Sequence, residues 1–138
     1  RERTTFMITW EDGSQVKVEY RQFPFEPLAP PHTIGPFYLD SMPNLLANKL
    51  YALIERRYEL DRTDIYGMLR EMRGVTIPQA VSAAEKKFDL RGLVQDAVLR
   101  RLGGPLPDQS PEALFEAIDV DEMARFFHER GAPLARRL

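Results

Sequence analysis

The sequence predicts an α+β fold, an N-terminal β-hairpin followed by a bundle of about six helices. Three observations predict it. Apolar and polar residues alternate over residues 5 to 22, the period of a strand. From residue 42 onward apolar residues recur every three or four positions, the period of a helix. A proline-rich stretch separates the two patterns. The 138 residues suffice for one compact domain, read as residues 1–40 (hairpin and connection) and 41–138 (helical bundle).

In the hairpin, Phe6, Ile8 and Trp10 alternate with Thr5, Met7 and Thr9, and Val16, Val18 and Tyr20 with Lys17, Glu19 and Arg21. Asp12-Gly13 supplies the positive φ angles of a tight turn. An isolated hairpin is marginal in water, so it must pack on the helices or join strands outside this chain. The connection carries Pro24, Pro27, Pro30, Pro31 and Pro36, which exclude a helix or a central strand. Its aromatics Phe23, Phe25, Phe37 and Tyr38 predict a loop laid over a core.

Ser41 and Pro43 mark the start of the first helix, which buries Leu46, Leu50 and Leu53 and ends near Tyr58. Asp61 is the expected cap of the second, which carries Ile65, Met68, Leu69 and Met72 and stops at Gly74. A third runs from Pro78 to Phe88, and a fourth from about Leu90 to Leu102. Ser110-Pro111-Glu112 opens a fifth, with Leu114, Phe115 and Ile118. The last starts near Asp121, carries Met123, Phe126 and Phe127, and stops at Gly131.

A net charge of −2 gives no global attraction for nucleic acid or an anionic membrane. With no cysteine there is neither a disulfide framework nor thiolate chemistry. No apolar run reaches the roughly 20 residues of a membrane span, and no secretory signal is visible. These features predict a cytoplasmic protein. Arg1 in place of an initiating methionine suggests a trimmed chain or a proteolytic product.

The informative stretch is Asn44 to Arg73. Lys49 and Arg56, seven apart, share a side of the first helix, and Asp61 and Asp64, three apart, face one way at the start of the second. If the helices pair antiparallel, cations and carboxylates converge. A lysine offers a point charge for a phosphate, and a nearby carboxylate can orient it, accept a proton or help hold a metal. Each residue also has a structural reading. Asp61 is then an N-cap, Asp64 a first-turn acid favoured by the helix dipole, and Lys49 and Arg56 cations at the rim of the core.

Lys49-Leu50-Tyr51-Ala52-Leu53-Ile54-Glu55-Arg56, followed by Asp61-Arg62-Thr63-Asp64-Ile65-Tyr66, resembles the C-terminal stretch of nucleotidyltransferase toxins of the AbiEii/AbiGii type. That family's pattern is approximately a Lys-Leu-x-Ala-Leu-x-x-Arg helix, then Arg-Asp-x-x-Asp-Leu-Tyr. Leu60 stands where the family has the arginine. The resemblance covers roughly residues 5 to 75. It implies that residues 1–40 are a remnant of the nucleotidyltransferase sheet and that Glu19, on the strand before the lysine helix, is the third metal-binding acid. The family more often has Asp there, and Glu19 also reads as a solvated strand residue.

The resemblance implies that the intact protein transfers a nucleotide from a nucleoside triphosphate to an acceptor such as tRNA, with magnesium, in a toxin–antitoxin or phage-defence system. Lys49 and Arg56 would contact the triphosphate, Asp61 would be the acid or base with Asp64 supporting it, and Glu19 would complete the metal site. A cognate antitoxin is the implied partner. The Asp-x-Asp strand of that fold is missing, since Asp119-Val120-Asp121 lies between two late helices. This chain alone, either a fragment or a degenerate relative, is therefore expected to be inactive and to bind neither magnesium nor a nucleoside triphosphate tightly. The alternative is a non-catalytic helical protein-binding module that keeps the family's frame.

His32 and His128 lie far apart with no Glu or Cys at ligand spacing, a poor basis for zinc. His128 is placed near the end of the last helix. Arg70, Arg73, Lys86, Lys87, Arg100, Arg101, Arg136 and Arg137 read as solvated helix faces, or as an RNA-backbone surface if several share a side with Lys49.

Overall fold

The computed structural model describes residues 3–22, 24–55, 59–90, 93–104 and 118–135. The architecture is α+β, with two antiparallel two-stranded sheets preceding five helices among the described residues. The helix expected from Ser110, with Leu114 and Phe115, lies outside the described residues.

Strands β1 (Arg3–Thr9) and β2 (Gln15–Arg21) pair in the register Phe6 to Val18 and Ile8 to Val16. The turn differs from the expected tight one. Trp10 N–H donates to the Ser14 carbonyl and Gly13 N–H to the Trp10 carbonyl, which closes a three-residue loop. Only Gly13 there has a positive φ, 83°. Asp12 stays in the right-handed half of conformational space and accepts hydrogen bonds from the Ser14 backbone and hydroxyl instead.

The proline connection is more ordered than a bare loop. Within it β3 (His32–Ile34) and β4 (Phe37–Leu39) pair antiparallel around Gly35, whose φ is 57°. A two-stranded sheet consists of edges, where proline on either side of a short strand is tolerated. Phe25 and Leu28 pack on the helical core, as a loop over a core should. Phe37 and Tyr38 do not, and stay exposed. Phe23 lies outside the described residues.

The helices are α1 (Met42–Glu55), α2 (Glu59–Glu71), α3 (Ile77–Phe88), α4 (Leu93–Gly103) and α5 (Val120–Ala135). α1 packs against α2, α3 and α4, and α5 against α2, α3 and α4. Leu46, Leu50 and Leu53 of α1 meet Ile65 and Leu69 of α2, Val81 and Phe88 of α3, and Met123 and Phe127 of α5 in one core. Ser41 stands at the cap of α1, its carbonyl accepting from Leu45, but its hydroxyl donates to the Ala29 carbonyl. α3 begins with a capping box in which Thr76 and Gln79 exchange side chain-to-backbone bonds. No described helix is long and apolar enough to cross a membrane.

Three expected boundaries move. Asp61 does not cap α2, which starts two residues earlier at Glu59. α5 is capped by Asp119, whose carboxylate accepts from Glu122 N–H at 2.9 Å. Nor does it stop at Gly131. The helix continues to Ala135, and Gly131 is a packing residue, since a Cβ there would sit 3.2 Å from Leu99. His128 is consequently inside the helix and exposed, not at its end.

Candidate functional site

Lys49, on α1, reaches across to the first turns of α2. Its ammonium donates to Asp61 at 3.1 Å and lies 2.5 Å from an oxygen of Asp64. The spacing of the sequence explains this meeting. Asp61 and Asp64, three apart, present both carboxylates on one side of α2. Leu46, Leu50 and Leu53 turn the apolar stripe of α1 into the core and leave Lys49 at its margin.

The three side chains differ sharply in environment. Asp61 is 1% exposed, Lys49 31% and Asp64 42%. Partial burial disfavours the ammonium of Lys49, but hydrogen bonds to Asp64 and then Asp61, with their negative charges, outweigh it and hold its pKa above the ordinary lysine value. Two of the three ammonium hydrogens are thereby assigned. Lysine's exposed fraction leaves a solvent-facing approach to the cluster.

The remaining residues of the motif build the bundle. Ile65 is buried. Tyr66 is buried too, stacks edge-on against Phe126 and Phe127, and donates its hydroxyl to Glu122 at 2.9 Å. Arg62 is buried, donates to the Gly104 carbonyl at 2.7 Å and lies over the Phe127 ring. One turn of α2 thus holds α4 and α5 while its other side meets Lys49. Arg56, and Arg57 beside it, lie outside the described residues.

Glu19 is turned elsewhere. It sits on the polar face of the hairpin and pairs with Arg3 and Lys17. The hydrogen bond from Lys17, and then the charge of Arg3, hold its carboxyl below the usual glutamate value. Magnesium requires several oxygen ligands converging in octahedral geometry. Here Glu19 faces two cations, and Asp61 and Asp64 face an ammonium. Among the described residues no three His, Asp or Glu side chains are grouped to hold a metal ion. As arranged, these acids do not fit a shared magnesium site.

A second polar cluster was not visible in the sequence. Lys87 of α3 donates to the side-chain oxygens of Asn44 at 2.7 Å and Asn48 at 2.8 Å, both on α1. The two carboxamides donate in turn to the two oxygens of Asp40, and Asn44 also accepts from Leu28 N–H. Burial lowers the Lys87 pKa against the opposing charge of Asp40. The cluster ties the proline connection to α1 and α3. Its only advance signal was the i, i+4 spacing of Asn44 and Asn48. Lys87 is therefore no solvated cation, and neither is Arg101, which donates to the Ile54 carbonyl. Arg70 lies 3.7 Å from Glu122, and Arg100 pairs with Asp96. Arg136 and Arg137 lie outside the described residues.

A groove of about 860 Å³ runs between α3 and α5 and is lined by Thr76, Gln79, Lys86, Glu129 and Arg130 among others. It contains none of the residues singled out in the motif and no buried charge. Comparison of the chain with family models, curated proteins and solved structures finds no match.

Proposed function

We propose that this chain is the C-terminal portion of a nucleotidyltransferase-like toxin and supplies the lysine that binds the triphosphate. The observation that carries the proposal is the meeting of Lys49 with Asp61 and Asp64 across two helices. Asp61, buried, orients the ammonium and cannot reach an acceptor. Asp64, exposed, turns aside when a phosphate oxygen takes its place on Lys49, and is then the carboxylate free to accept a proton from an acceptor hydroxyl. The roles of the two acids are thus reversed relative to the expectation from the resemblance. In the whole reaction, an acceptor oxygen bonds to the α-phosphorus of the triphosphate and pyrophosphate leaves. Magnesium and a tRNA acceptor are implied by the family resemblance alone. The cognate antitoxin and a cytoplasmic location belong to the same proposal.

The test is calorimetric titration of the chain with each of the four magnesium nucleoside triphosphates. Binding that falls at least about tenfold in Lys49→Ala, a loss of about 1.4 kcal/mol, supports the assignment. Absence of even weak binding by the folded chain rejects it and favours the second reading, a non-catalytic binding module. That reading has its own support in the apolar hairpin face, where Phe6, Ile8, Val16 and Tyr20 are all exposed.

A further inference from the structure

We propose that two copies of this chain pair through the outer edge of β2, joining two hairpins into one four-stranded antiparallel sheet. The inference does not depend on the nucleotide site.

The hairpin needs more strands than it has. Phe6 is 51% exposed and Tyr20 63%, on a two-stranded sheet whose apolar face meets solvent. Sheets of two strands are marginal in water, and three or more strands are needed for stability. Among the described residues both strands also present an open edge, the usual template for pairing with another chain.

The register selects β2 and a second copy. Trp10 and Ser14 form a bonded pair at the turn. Antiparallel alternation then directs the backbone groups of Val16, Val18 and Tyr20 toward β1, and those of Gln15, Lys17, Glu19 and Arg21 outward. A two-fold axis through Val18 places these outward groups in bonding register with their symmetry mates. It sets Lys17 opposite Glu19 of the second copy, and Glu19 opposite its Lys17. On the other face it sets Val16 opposite Tyr20. Charges match at Lys17 and Glu19 and apolar side chains at Val16 and Tyr20, as favourable cross-strand pairs require, while Gln15 falls opposite Arg21. The equivalent axis through Phe6 on β1 places Thr5 against Met7 and Arg3 against Thr9, with no charge matched.

The chain contains no cysteine, so one introduced thiol reports on its own contacts. At the two-fold axis Val18 meets its mate as a non-bonded pair with Cα atoms about 4.5 Å apart, within the span of a disulfide. Thr4→Cys shares the same apolar face but lies on β1, away from the new edge. Mild oxidation should convert Val18→Cys to a covalent dimer and leave Thr4→Cys monomeric. Sedimentation equilibrium of the unmodified chain should show a dimer that Lys17→Glu weakens about tenfold, through two lost charge pairs. Cross-linking of both cysteine variants alike means stacking of apolar faces and overturns the proposal. So does a monomer at all concentrations with no Val18→Cys cross-link.

Discussion

Lys49 of α1 donates a hydrogen bond at 3.1 Å to Asp61 of α2, a carboxylate that is 1% exposed. Removing the lysine leaves that carboxylate buried beside a less favourable environment. Lys49→Ala should cost about 1–2 kcal/mol of stability, since a buried carboxylate loses one charge-assisted hydrogen bond. Lys49→Arg, which keeps the charge, should cost less. Urea denaturation of the two variants measures the difference.

The pH dependence of the same pair has a definite sign. Burial opposes the Lys49 charge, yet the bonds to Asp64 and Asp61 raise its folded pKa above the ordinary 10.5. The stabilisation is complete below the unfolded lysine pKa and is lost as pH rises through the folded value. Stability should therefore fall above pH 10.5 more steeply in the unmodified chain than in Lys49→Ala. Lys87 runs the other way, because burial lowers its folded pKa below 10.5, so stability gains as pH rises toward that value. Denaturation curves of Lys49→Ala and Lys87→Met across this range separate the two slopes.

Tyr66 carries the hydroxyl that α2 lends to α5. Its donation to Glu122 takes place among Phe126 and Phe127, in a buried setting. Tyr66→Phe keeps the ring and removes two hydrogen bonds, the donation to Glu122 and the one accepted from Arg70 at 3.2 Å, for an expected loss of about 1–2 kcal/mol. Nucleotide titration of the same variant should match the unmodified chain, because the tyrosine faces α5 and not Lys49. A matched loss of binding would give Tyr66 a direct role at the site.

Gly131 lies inside α5 and packs beside Leu99 of α4. Gly131→Val adds a branched side chain where even a Cβ would be 3.2 Å from Leu99. The substitution should destabilise the bundle by about 1–3 kcal/mol through overpacking, despite glycine's poor helix propensity. Thermal unfolding of the variant tests this.

Periodicity made the hairpin and the described helices legible, since strand and helix repeats differ and the apolar stripes run long. Glycine at position 131 was misread because a helix stop and a close helix contact both demand a missing side chain. Asp61 was misread as a cap because capping residue types also occur inside helices, and here α2 already runs from Glu59. The Lys49 cluster was legible because all of its charges lie in one helix–link–helix stretch. Lys87 was not, because its partners Asn44, Asn48 and Asp40 are about 40 residues away and become neighbours only when α1 and α3 pack.

The most direct measurement of the nucleotide assignment is the amide spectrum of the chain during titration with a magnesium nucleoside triphosphate. Saturable shifts centred on Lys49, Asp61 and Asp64 that disappear in Lys49→Ala are the expected result. Shifts centred instead on Lys86 and Arg130 in the α3–α5 groove, or persisting unchanged in Lys49→Ala, would contradict the assignment.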